Sequence, residues 1–358
     1  MNKSFYGVLL CLCLLACASD MPPIVGCDSV GDIKPVCNMK TPEDIAALAD
    51  GRHLLLANFG GMEGGTGSIS LFDTQTEEVS VLFPPQNATL NATNVTWGDA
   101  DCPPPSLDKF SPHGTHLRRL AAGGWRYLVV NHGGRESIEF FELTLAGGNS
   151  SIAWRGCVLA AAETFMNDVV GLPNGDLIFS RMFHQGGDLE MLKSIVGIDT
   201  GDLWRWNQET GLRILPGTDA AQPNGLELSA DGRYVFANMY MEGEVWKIDV
   251  DTGKTVAVGD VANGDNSAWG SDGRLWVATH TAGAMDMLSC FDFQDKPCGA
   301  AFEIVAMDPE TMAAEVVFSH AGAPMGAATI AVPQGGRVYM GSFVGDRLIS
   351  VPDFGSAK

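Results

Sequence analysis

The sequence of 358 residues has little positive charge, because 22 Lys and Arg stand against 43 Asp and Glu. The formal net charge is −21 at pH 7. A chain this acidic is repelled by phosphate backbones and anionic lipid surfaces, which argues against nucleic acid or such a membrane surface as its partner. The same charge is compatible with the binding of cations.

Long apolar segments are also missing. The apolar run from Phe5 to Leu15 is shorter than the about 20 residues that a membrane-spanning helix needs. It follows Lys3 and is followed by small residues, a pattern typical of a secretory signal. No later segment is long and apolar enough to cross a membrane.

The residues that follow this run, Leu-Leu-Ala-Cys ending at Cys17, are similar to a bacterial lipoprotein box. The alternative is an ordinary signal peptide with an incidental cysteine. We predict a lipoprotein-type signal peptide over residues 1–16 and a tether over 17–40. The protein is then exported and lipid-anchored at Cys17 to a bacterial membrane, on its periplasmic or cell-surface side.

Once Cys11, Cys13 and Cys17 of the signal region are set aside, the closely spaced cysteine pairs that are typical of zinc sites are absent. Six cysteines remain beyond the signal region, and an even number in an exported chain predicts disulfide bonds. Many pairings are open from sequence. The local choices join Cys27 with Cys37 and Cys290 with Cys298, which would leave Cys102 with Cys157.

One short pattern recurs along the chain: a polar residue opens an apolar run, and an Asp-Gly or Asn-Gly turn begins seven residues later. The four regular copies open at Glu43, Asn167, Asn224 and Asp265, with turns at Asp50, Asn174, Asp231 and Asp272. Two looser copies open at His113 and Ala328. Such turns between apolar runs indicate β-hairpins.

Six hairpins about fifty residues apart are typical of a propeller with one blade per repeat. We therefore predict an all-β fold, a six-bladed β-propeller over residues 41–354 with a central calcium-binding channel. If the first strand of each hairpin is the innermost, the polar openings converge on the channel axis. The alternative is that Asn and Asp only begin strands and cap loops.

The converging side chains offer oxygen ligands. The carboxylates are Glu43, Asp44, Asp168 and Asp265, and the amides are Asn167, Asn224 and Asn266. Such a set favours Ca²⁺, which takes about 6–8 oxygens in loose geometry, whereas Zn²⁺ prefers imidazole or thiolate. Four buried carboxylates need cations or raised pKa values, and the set is large enough for two ions.

Histidines accompany these oxygens. His113 opens the strand of the second blade and His132 ends the neighbouring strand, so the two rings are expected to approach one another. A histidine pair beside a Lewis-acidic ion could take a proton from water. The alternative is that each is a hydrogen-bonded channel residue. Weaker candidates are His116, His184 and His280, and His53 and His320 have no functional case.

Residues 181–203 break the blade pattern. We predict a short helix over 189–196 with Met191, Leu192 and Ile195 directed inward. Excursions from a regular scaffold often carry specificity, and a packed loop is the alternative interpretation.

Several motifs resemble the paraoxonase/arylesterase family. They are Phe-Ser-Pro-His-Gly-Thr at 110–115, Tyr-Leu-Val-Val-Asn-His at 127–132 and Ser-Ile-Glu-Phe-Phe at 137–141. Asn167-Asp168-Val169, Asn224-Gly225 and Asp265-Asn266 follow in the family's order. The likeness runs from about Glu43 to the last blade. Gluconolactonase-like and strictosidine-synthase-like propellers are related to that family.

The resemblance implies a six-bladed propeller that holds two calcium ions and hydrolyses lactones and aryl esters. It implies a catalytic calcium bound by Glu43, Asn167, Asn224, Asp265 and Asn266. A structural calcium would take Asp44, Asp168 and the carbonyl of Thr115. His113 would act as the base on water, and His132 would relay the proton.

The chain departs from the animal members of that family at its end, where residues 351–358 contain no cysteine to tie the termini. Closure of the ring is therefore expected to depend on strand pairing. Two other functions stay open: a non-catalytic ligand-binding propeller with structural calcium, and a sugar-lactone hydrolase. The expected partner is a small lactone or ester, and the expected state is a monomer.

Overall fold

A computed structural model describes residues 21–355, apart from 62–64, 86–96, 122, 147–148, 161–163, 185–187 and 294. The predicted signal peptide and Cys17 lie outside the described residues. No helix in the described part of the chain is long and apolar enough to cross a membrane.

Six four-stranded antiparallel sheets make up the fold of the described residues. The chain begins with β1 (Lys34–Val36). Blade one contains β2 (Pro42–Ala47), β3 (His53–Asn58), β4 (Ser68–Asp73) and β5 (Val79–Phe83). Blade two contains β6 (Pro112–Arg119), β7 (Trp125–Asn131), β8 (Ser137–Ala146) and β9 (Asn149–Leu159). Blade three contains β10 (Phe165–Gly171), β11 (Leu177–Phe183), β12 (Asp202–Asn207) and β13 (Gly211–Ile214).

The later blades repeat the same order. Blade four contains β14 (Pro223–Leu228), β15 (Tyr234–Met239), β16 (Glu244–Asp249) and β17 (Thr255–Asp260). Blade five contains β18 (Gly264–Trp269), β19 (Leu275–His280), β20 (Phe302–Met307) and β21 (Ala314–His320). Blade six contains β22 (Ala328–Gln334), β23 (Arg337–Ser342) and β24 (Leu348–Pro352). The predicted six-bladed β-propeller is confirmed.

The ring closes through its first strand. β1 pairs antiparallel with β24, with Lys34 opposite Ser350, and becomes the outermost strand of blade six. Closure by strand pairing was the expectation from the cysteine-free tail, and it is confirmed. It also means that residues 34–36, within the predicted tether, belong to a blade.

Each seam between neighbouring blades is filled by its own apolar cluster, and the described residues contain one such cluster for each of the six seams. Strand β7 shows how: Tyr127 and Val129 pack toward blade one, whereas Leu128 and Val130 pack toward blade three. Alternate side chains of a strand point to opposite faces. A blade buried on both faces therefore needs the continuous apolar run seen in the sequence.

The innermost strands share a β-bulge at the place where each polar residue opens the repeat. The pairing register shifts between Pro42 and Asp44 in β2, between Met166 and Val169 in β10, and at the equivalent place in the other four inner strands. A bulge breaks the alternation of side chains. Two consecutive residues, such as Asn167 and Asp168, can therefore both serve the channel.

Two glycines allow the inner strands to approach closely at these bulges. A Cβ on Gly114 would lie 2.5 Å from the carbonyl oxygen of Asn167, and one on Gly225 would lie 2.4 Å from the carbonyl oxygen of Asp265. A side chain at either position would push two blades apart. This explains why glycine follows His113 and Asn224 in the sequence.

Two helices lie on the side of the propeller where the inner strands begin. Helix α1 (Asp188–Ile195) forms near the predicted place, and Met191 and Ile195 line a cavity, but Leu192 is 59% exposed, so the prediction that it points inward is wrong. The eight-residue helix packs one edge onto the scaffold and leaves most of its apolar side chains outside. Helix α2 (Ala284–Cys290) was not predicted.

Three disulfide bonds match the local pairing expected from sequence. They join Cys27 to Cys37, Cys102 to Cys157 and Cys290 to Cys298, with Cα separations of 6.3, 5.6 and 5.3 Å. The last of these fastens the end of α2 to the segment that leads into β20.

Candidate metal and catalytic site

A cavity of about 290 Å³ opens at the end of the channel where the inner strands begin. The five polar residues that open the repeats, Glu43, His113, Asn167, Asn224 and Asp265, all line it. Each of them is at most 7% exposed. The sequence therefore predicted correctly that these side chains meet, although they come from five different blades.

Amide groups in this set bond to the carboxylates. The Asn266 amide Nδ2 donates to Glu43 Oε1 at 2.9 Å, and the Asn224 side chain hydrogen-bonds to Asp265. These bonds hold the carboxylates in place and use the amide nitrogens, so the amide oxygens of Asn224 and Asn266 do not take part in them. Four buried oxygens are left without any hydrogen-bond partner: Glu43 Oε2, Asn167 Oδ1, Asn224 Oδ1 and Asn266 Oδ1.

Such unpartnered acceptors destabilise the fold, since each buried polar atom without a hydrogen-bond partner costs roughly 1–3 kcal/mol of folding free energy. All four belong to the residues expected to bind the catalytic calcium. Hard oxygens from carboxylate and amide groups are the donors that Ca²⁺ prefers. Within the described residues, no three His, Cys, Asp or Glu side chains gather to hold a metal ion by themselves, so the asparagine oxygens are essential to this set.

The carboxyl groups of the site have pKa values above their usual range. Burial, partly offset by the Asn266 hydrogen bond, raises the pKa of Glu43 to about 7. Burial and the neighbouring Glu43 raise the pKa of Asp265 well above its usual value. A divalent cation would stabilise the ionised forms, because nearby positive charge favours deprotonation of a carboxyl group.

The residues expected to bind the structural calcium lie deeper. Asp44, Thr115 and Asp168 line a second cavity of about 250 Å³, which opens at the other end of the channel. Asp44 Oδ2 accepts a bond of 2.6 Å from the Thr115 hydroxyl, and Asp168 Oδ2 accepts one of 2.7 Å from the Leu226 N–H. These oxygens already have partners, so the orphaned atoms support only the first ion site.

Burial together with Glu43 nevertheless raises the pKa of Asp44 to about 7, and burial together with Asp44 raises that of Asp168. Glu227, which sequence reasoning missed, lines the same lower cavity, and burial raises its pKa to about 8. This lower region therefore concentrates acidic groups whose charges a second cation would balance.

His113 stands between the upper oxygens and the cavity. Its Nδ1 lies 3.0 Å from the carbonyl oxygen of Asn167, so Nδ1 carries the proton and donates. Its Nε2 lies 3.7 Å from Glu43 Oε1 and is left with a free lone pair. Burial, with a smaller effect of His132, lowers the pKa of His113 to about 3, which keeps the ring neutral near pH 7.

His132 lies behind His113, with the two ring centroids 5.1 Å apart. Its ring stacks on Phe165 at 4.3 Å and meets the edge of Phe59. Its Nδ1 lies 2.7 Å from Glu136 Oε1, and its buried Nε2 has no partner. The ring is thus held on three sides, with its free nitrogen available for a proton.

Glu136 is the most informative residue that the sequence did not single out. It stands directly before β8, and the pairing of Asn131 with Ser137 brings it back beside His132 across a tight connection. Its second oxygen accepts a bond of 3.2 Å from the Met166 N–H. An acidic residue four positions after a candidate histidine, across a strand turn, was the signal that could have revealed it.

Of the other five histidines, two line one of the two cavities and three do not. His280 lines the upper cavity, with its Nδ1 3.0 Å from the Tyr240 hydroxyl and its Nε2 3.6 Å from Asp265 Oδ2. Burial lowers its pKa to about 4. The site therefore has a second neutral imidazole opposite His113. His116 lines the lower cavity, whereas His53, His184 and His320 line neither.

Above the polar floor, the walls of the upper cavity are apolar. Met182 and Phe183 come from the end of β11, Met191 and Ile195 from α1, and Met287, Leu288 and Phe291 from α2. The excursion at 181–203 thus contributes a wall of the cavity. Gln222, Tyr240 and Asn263 add polar groups to the wall, but apolar side chains form its larger part, which suits a largely apolar substrate.

Comparison of sequences places the chain in a known family. The SMP-30/gluconolactonase/LRE-like region matches residues 114–326, more than half of the chain. The protein therefore belongs to the SMP-30/gluconolactonase/LRE-like family, which is related to lactone-hydrolysing propellers. The narrower resemblance to paraoxonases stays a prediction. No curated protein matches this sequence.

Solved structures with the same architecture are distant in sequence. A luciferin-regenerating enzyme is 13% identical, with a TM-score of 0.52 over 88% of this chain and 92% of that one. A gluconolactonase from Xanthomonas campestris is 16% identical, with a TM-score of 0.49 over 93% and 95%. A calcium-binding regucalcin from Agrobacterium tumefaciens is 11% identical, with a TM-score of 0.49 over 88% and 90%. At these identities the likeness shows the fold alone.

Proposed function

We propose that the protein is a calcium-dependent hydrolase of lactones and aryl esters. The observation that carries this proposal is the row of buried, unpartnered oxygens from Glu43, Asn167, Asn224 and Asn266 beside a neutral His113. Membership of a family related to gluconolactonases supports the reaction class. The proposal includes a second, structural calcium held by Asp44, Asp168 and the Thr115 carbonyl.

The chain's own residues divide the work. A calcium ion held by Glu43, Asn224 and Asp265, with Asn167 and Asn266, would supply a Lewis acid to polarise the substrate carbonyl. His113 Nε2 accepts a proton from the attacking water, because its Nδ1 proton is fixed on the Asn167 carbonyl. The apolar walls exclude bulk water from this step.

A pKa of about 3 makes His113 a poor place to keep a proton near pH 7. The proton must therefore leave from Nε2, the nitrogen that took it up, because Nδ1 stays bonded to the Asn167 carbonyl. His132, whose ring centroid lies 5.1 Å away and whose buried Nε2 has no partner, is the neighbouring acceptor; no hydrogen bond joins the two rings, so the transfer needs the rings to approach or a water between them. Glu136 holds the other nitrogen of His132 at 2.7 Å and supplies negative charge when that ring becomes positive. We infer a proton relay from His113 through His132, stabilised by Glu136.

A sugar-lactone hydrolase is the second candidate, because the family that the chain belongs to is described by gluconolactonase. A sugar lactone carries several hydroxyl groups, each of which loses its water on binding and needs a partner. In the wall of the cavity, apolar side chains such as Met182, Met191, Met287 and Phe291 outnumber the polar ones, which are Gln222, Tyr240 and Asn263. The walls therefore favour an aliphatic or aryl substrate.

The test is hydrolysis of a panel of aliphatic lactones, aryl esters and gluconolactone, with saturating Ca²⁺ and with a chelator. We expect kcat/KM for aliphatic lactones to exceed that for gluconolactone by at least about tenfold, since each misplaced polar group costs about 1.4 kcal/mol or more. A preference for gluconolactone would support the second candidate. No turnover on any member, with calcium still raising thermal stability, would indicate a non-catalytic binding propeller.

Substitution of Glu136 tests the relay. We expect E136L to lower kcat by on the order of 10- to 100-fold with little change in KM, less than the about 10⁴-fold loss for the aspartate of a catalytic triad, because Glu136 orients the relay and not the base. E136Q keeps an acceptor for His132 Nδ1 but loses the negative charge, so its kcat should lie between those of wild type and E136L. Nitrogen-15 NMR of the His132 ring should show the Nδ1–H tautomer in wild type and E136Q, and its loss in E136L.

The control for this series is E142L, which removes a glutamate of the same strand that bonds to Arg155 on the blade's outer strand. It should leave kcat and the His132 tautomer as in wild type. Wild-type kcat in E136L, or an unchanged tautomer, would remove Glu136 and the relay from the account. An equal loss in E142L would show that any damage to blade two has the same effect.

A further inference from the structure

A third concave site lies at the same end of the propeller as the lower cavity, at the edge of blades two and three. It is lined by Arg118, Arg119 and Arg126, together with the turn that contains Pro173, Asn174 and Gly175. We call this the arginine pocket. Strand β6 begins beside the upper cavity and ends at Arg119; its eight residues span about 25 Å, so the pocket is separate from the upper cavity.

Two of the three guanidinium groups stand directly across from each other. Arg118 of β6 pairs with Arg126 of β7 in the antiparallel register. Like charges at such a position repel one another and destabilise the sheet. Burial and the nearby Arg118 both lower the pKa of Arg126, as expected for cations held together. The arrangement is unfavourable unless something negative shares the space.

The surrounding protein supplies little negative charge to balance the positive charges of these arginines. Arg118 donates from Nη1 to the Gly171 carbonyl at 3.3 Å, and Arg126 donates from Nη2 to the Leu172 carbonyl at 3.2 Å. Each guanidinium has about five N–H donors, so most remain free. Arg126 Nε is buried without any partner. No carboxylate of the described residues forms an ion pair with these three arginines or lines the pocket.

The contrast with other arginines is strong in a chain with a net charge of −21. Arg205 is buried and paired with Asp176, and Arg181 is paired with Asp202. Arg135 is paired with Glu139, and Arg155 with Glu142. The abundance of acidic residues makes a group of unpaired arginines in one concave place unexpected as a purely structural feature.

We propose that the arginine pocket binds a tetrahedral oxyanion, as a free ion or as the phosphate or sulfate group of a larger ligand. Guanidinium forks match such groups because each fork donates two parallel bonds to a pair of oxygens. Arg118 and Arg126 hold the anion from the strand pair, and Arg119 closes the pocket from the exposed side. This site is independent of the proposed hydrolase activity.

The probe is inorganic sulfate, with phosphate in a second arm and acetate in a third, titrated calorimetrically into the full-length protein. Total ionic strength is held constant with sodium chloride, so that general screening does not differ between samples. We expect sulfate and phosphate to bind one per chain with a Kd on the order of 1 mM, and acetate to bind more weakly because it offers two oxygens.

Three variants assign the binding to the pocket. R118Q and R126Q should each weaken sulfate binding by at least about tenfold, because a charge-assisted bond is lost. R119Q, a change at an exposed side chain, should weaken it by about threefold and guards against a folding defect in the other two. The matched control is R213Q, which removes an exposed arginine of β13 outside the pocket and should bind sulfate as wild type does.

Sulfate that binds no better than chloride would overturn the proposal. Equal weakening in R213Q would also overturn it, because the effect would then reflect total charge and not the pocket. If a phosphorylated sugar binds at least about tenfold more tightly than inorganic phosphate, the pocket belongs to a larger ligand; equal affinities identify the free ion. Either result supports the oxyanion site.

Discussion

Removal of calcium by a chelator should abolish lactone hydrolysis and make the protein less stable as the pH rises. Glu43 has a pKa of about 7 in the fold against an ordinary value of 4.5, and Asp44 has about 7 against 3.8. At these two carboxyl groups the folded chain therefore binds more protons than the unfolded chain up to about pH 7. The lowered pKa values of His113 and His280 act in the opposite direction, but only up to about pH 6.5, where an unfolded histidine loses its proton. Stability of the metal-free protein must therefore fall as the pH rises above about 6.5, until the buried carboxyl groups are ionised.

Glu43 alone contributes roughly 3 kcal/mol over its whole titration range from about pH 4 to above 7, since its pKa rises by about 2.5 units and each unit corresponds to about 1.4 kcal/mol. Asp44 interacts with Glu43, so the two contributions are not additive. Saturating Ca²⁺ should reverse the trend, because the ion binds the deprotonated carboxylates and its affinity rises with pH. Thermal unfolding at pH 5.5, 7 and 8, with and without the chelator, measures both curves.

Magnesium provides the control for this experiment, because it prefers octahedral geometry with shorter bonds and loses its water reluctantly. It should restore neither activity nor stability at the concentration at which Ca²⁺ restores both. If the chelator-treated protein retains full activity, or if its melting temperature rises from pH 7 to 8, the calcium account fails.

Replacement of His113 by Gln should lower kcat for the best lactone by about 10²- to 10⁴-fold, which is the usual contribution of a general base. Gln can still donate to the Asn167 carbonyl, but it has no basic nitrogen to accept a proton from water. Calcium affinity should change little, since His113 is not among the proposed ligands. Turnover and calorimetric calcium binding, measured on the same variant, separate these two expectations.

The matched control is H280Q, which changes the imidazole on the opposite wall, 3.6 Å from Asp265. We expect it to lower kcat less than H113Q does, because His280 has no second histidine to which a proton can pass. The reverse order of effects would assign the base to His280 and its partner Tyr240. Lost calcium binding in H113Q would show that the histidine supports the metal and not the water.

Much of the fold was predictable because each repeat contains its own turn signals. The Asp-Gly and Asn-Gly turns between apolar strands predict the hairpin of each blade, and the six-fold recurrence of that hairpin predicts a propeller. The convergence of Glu43, Asn167, Asn224 and Asp265 followed from the geometry of any propeller, in which equivalent positions of inner strands share an axis. No long-range contact had to be guessed.

The remainder depends on contacts that the repeat does not encode. Glu136 reaches His132 only because β7 and β8 pair in one particular register. Helix α2 lies outside the blade pattern, and its short apolar sequence gives no clear helical period. The exposed position of Leu192 depends on how α1 lies over the cavity, which periodicity alone cannot show.

The most direct test of the central claim is an anomalous-scattering map from crystals grown with Ca²⁺. The account predicts a calcium peak in the upper cavity, with oxygens of Glu43, Asn167, Asn224, Asp265 and Asn266 at about 2.3–2.6 Å. A map with no ion among these five side chains, from crystals of a protein that is active in the same buffer, would contradict it.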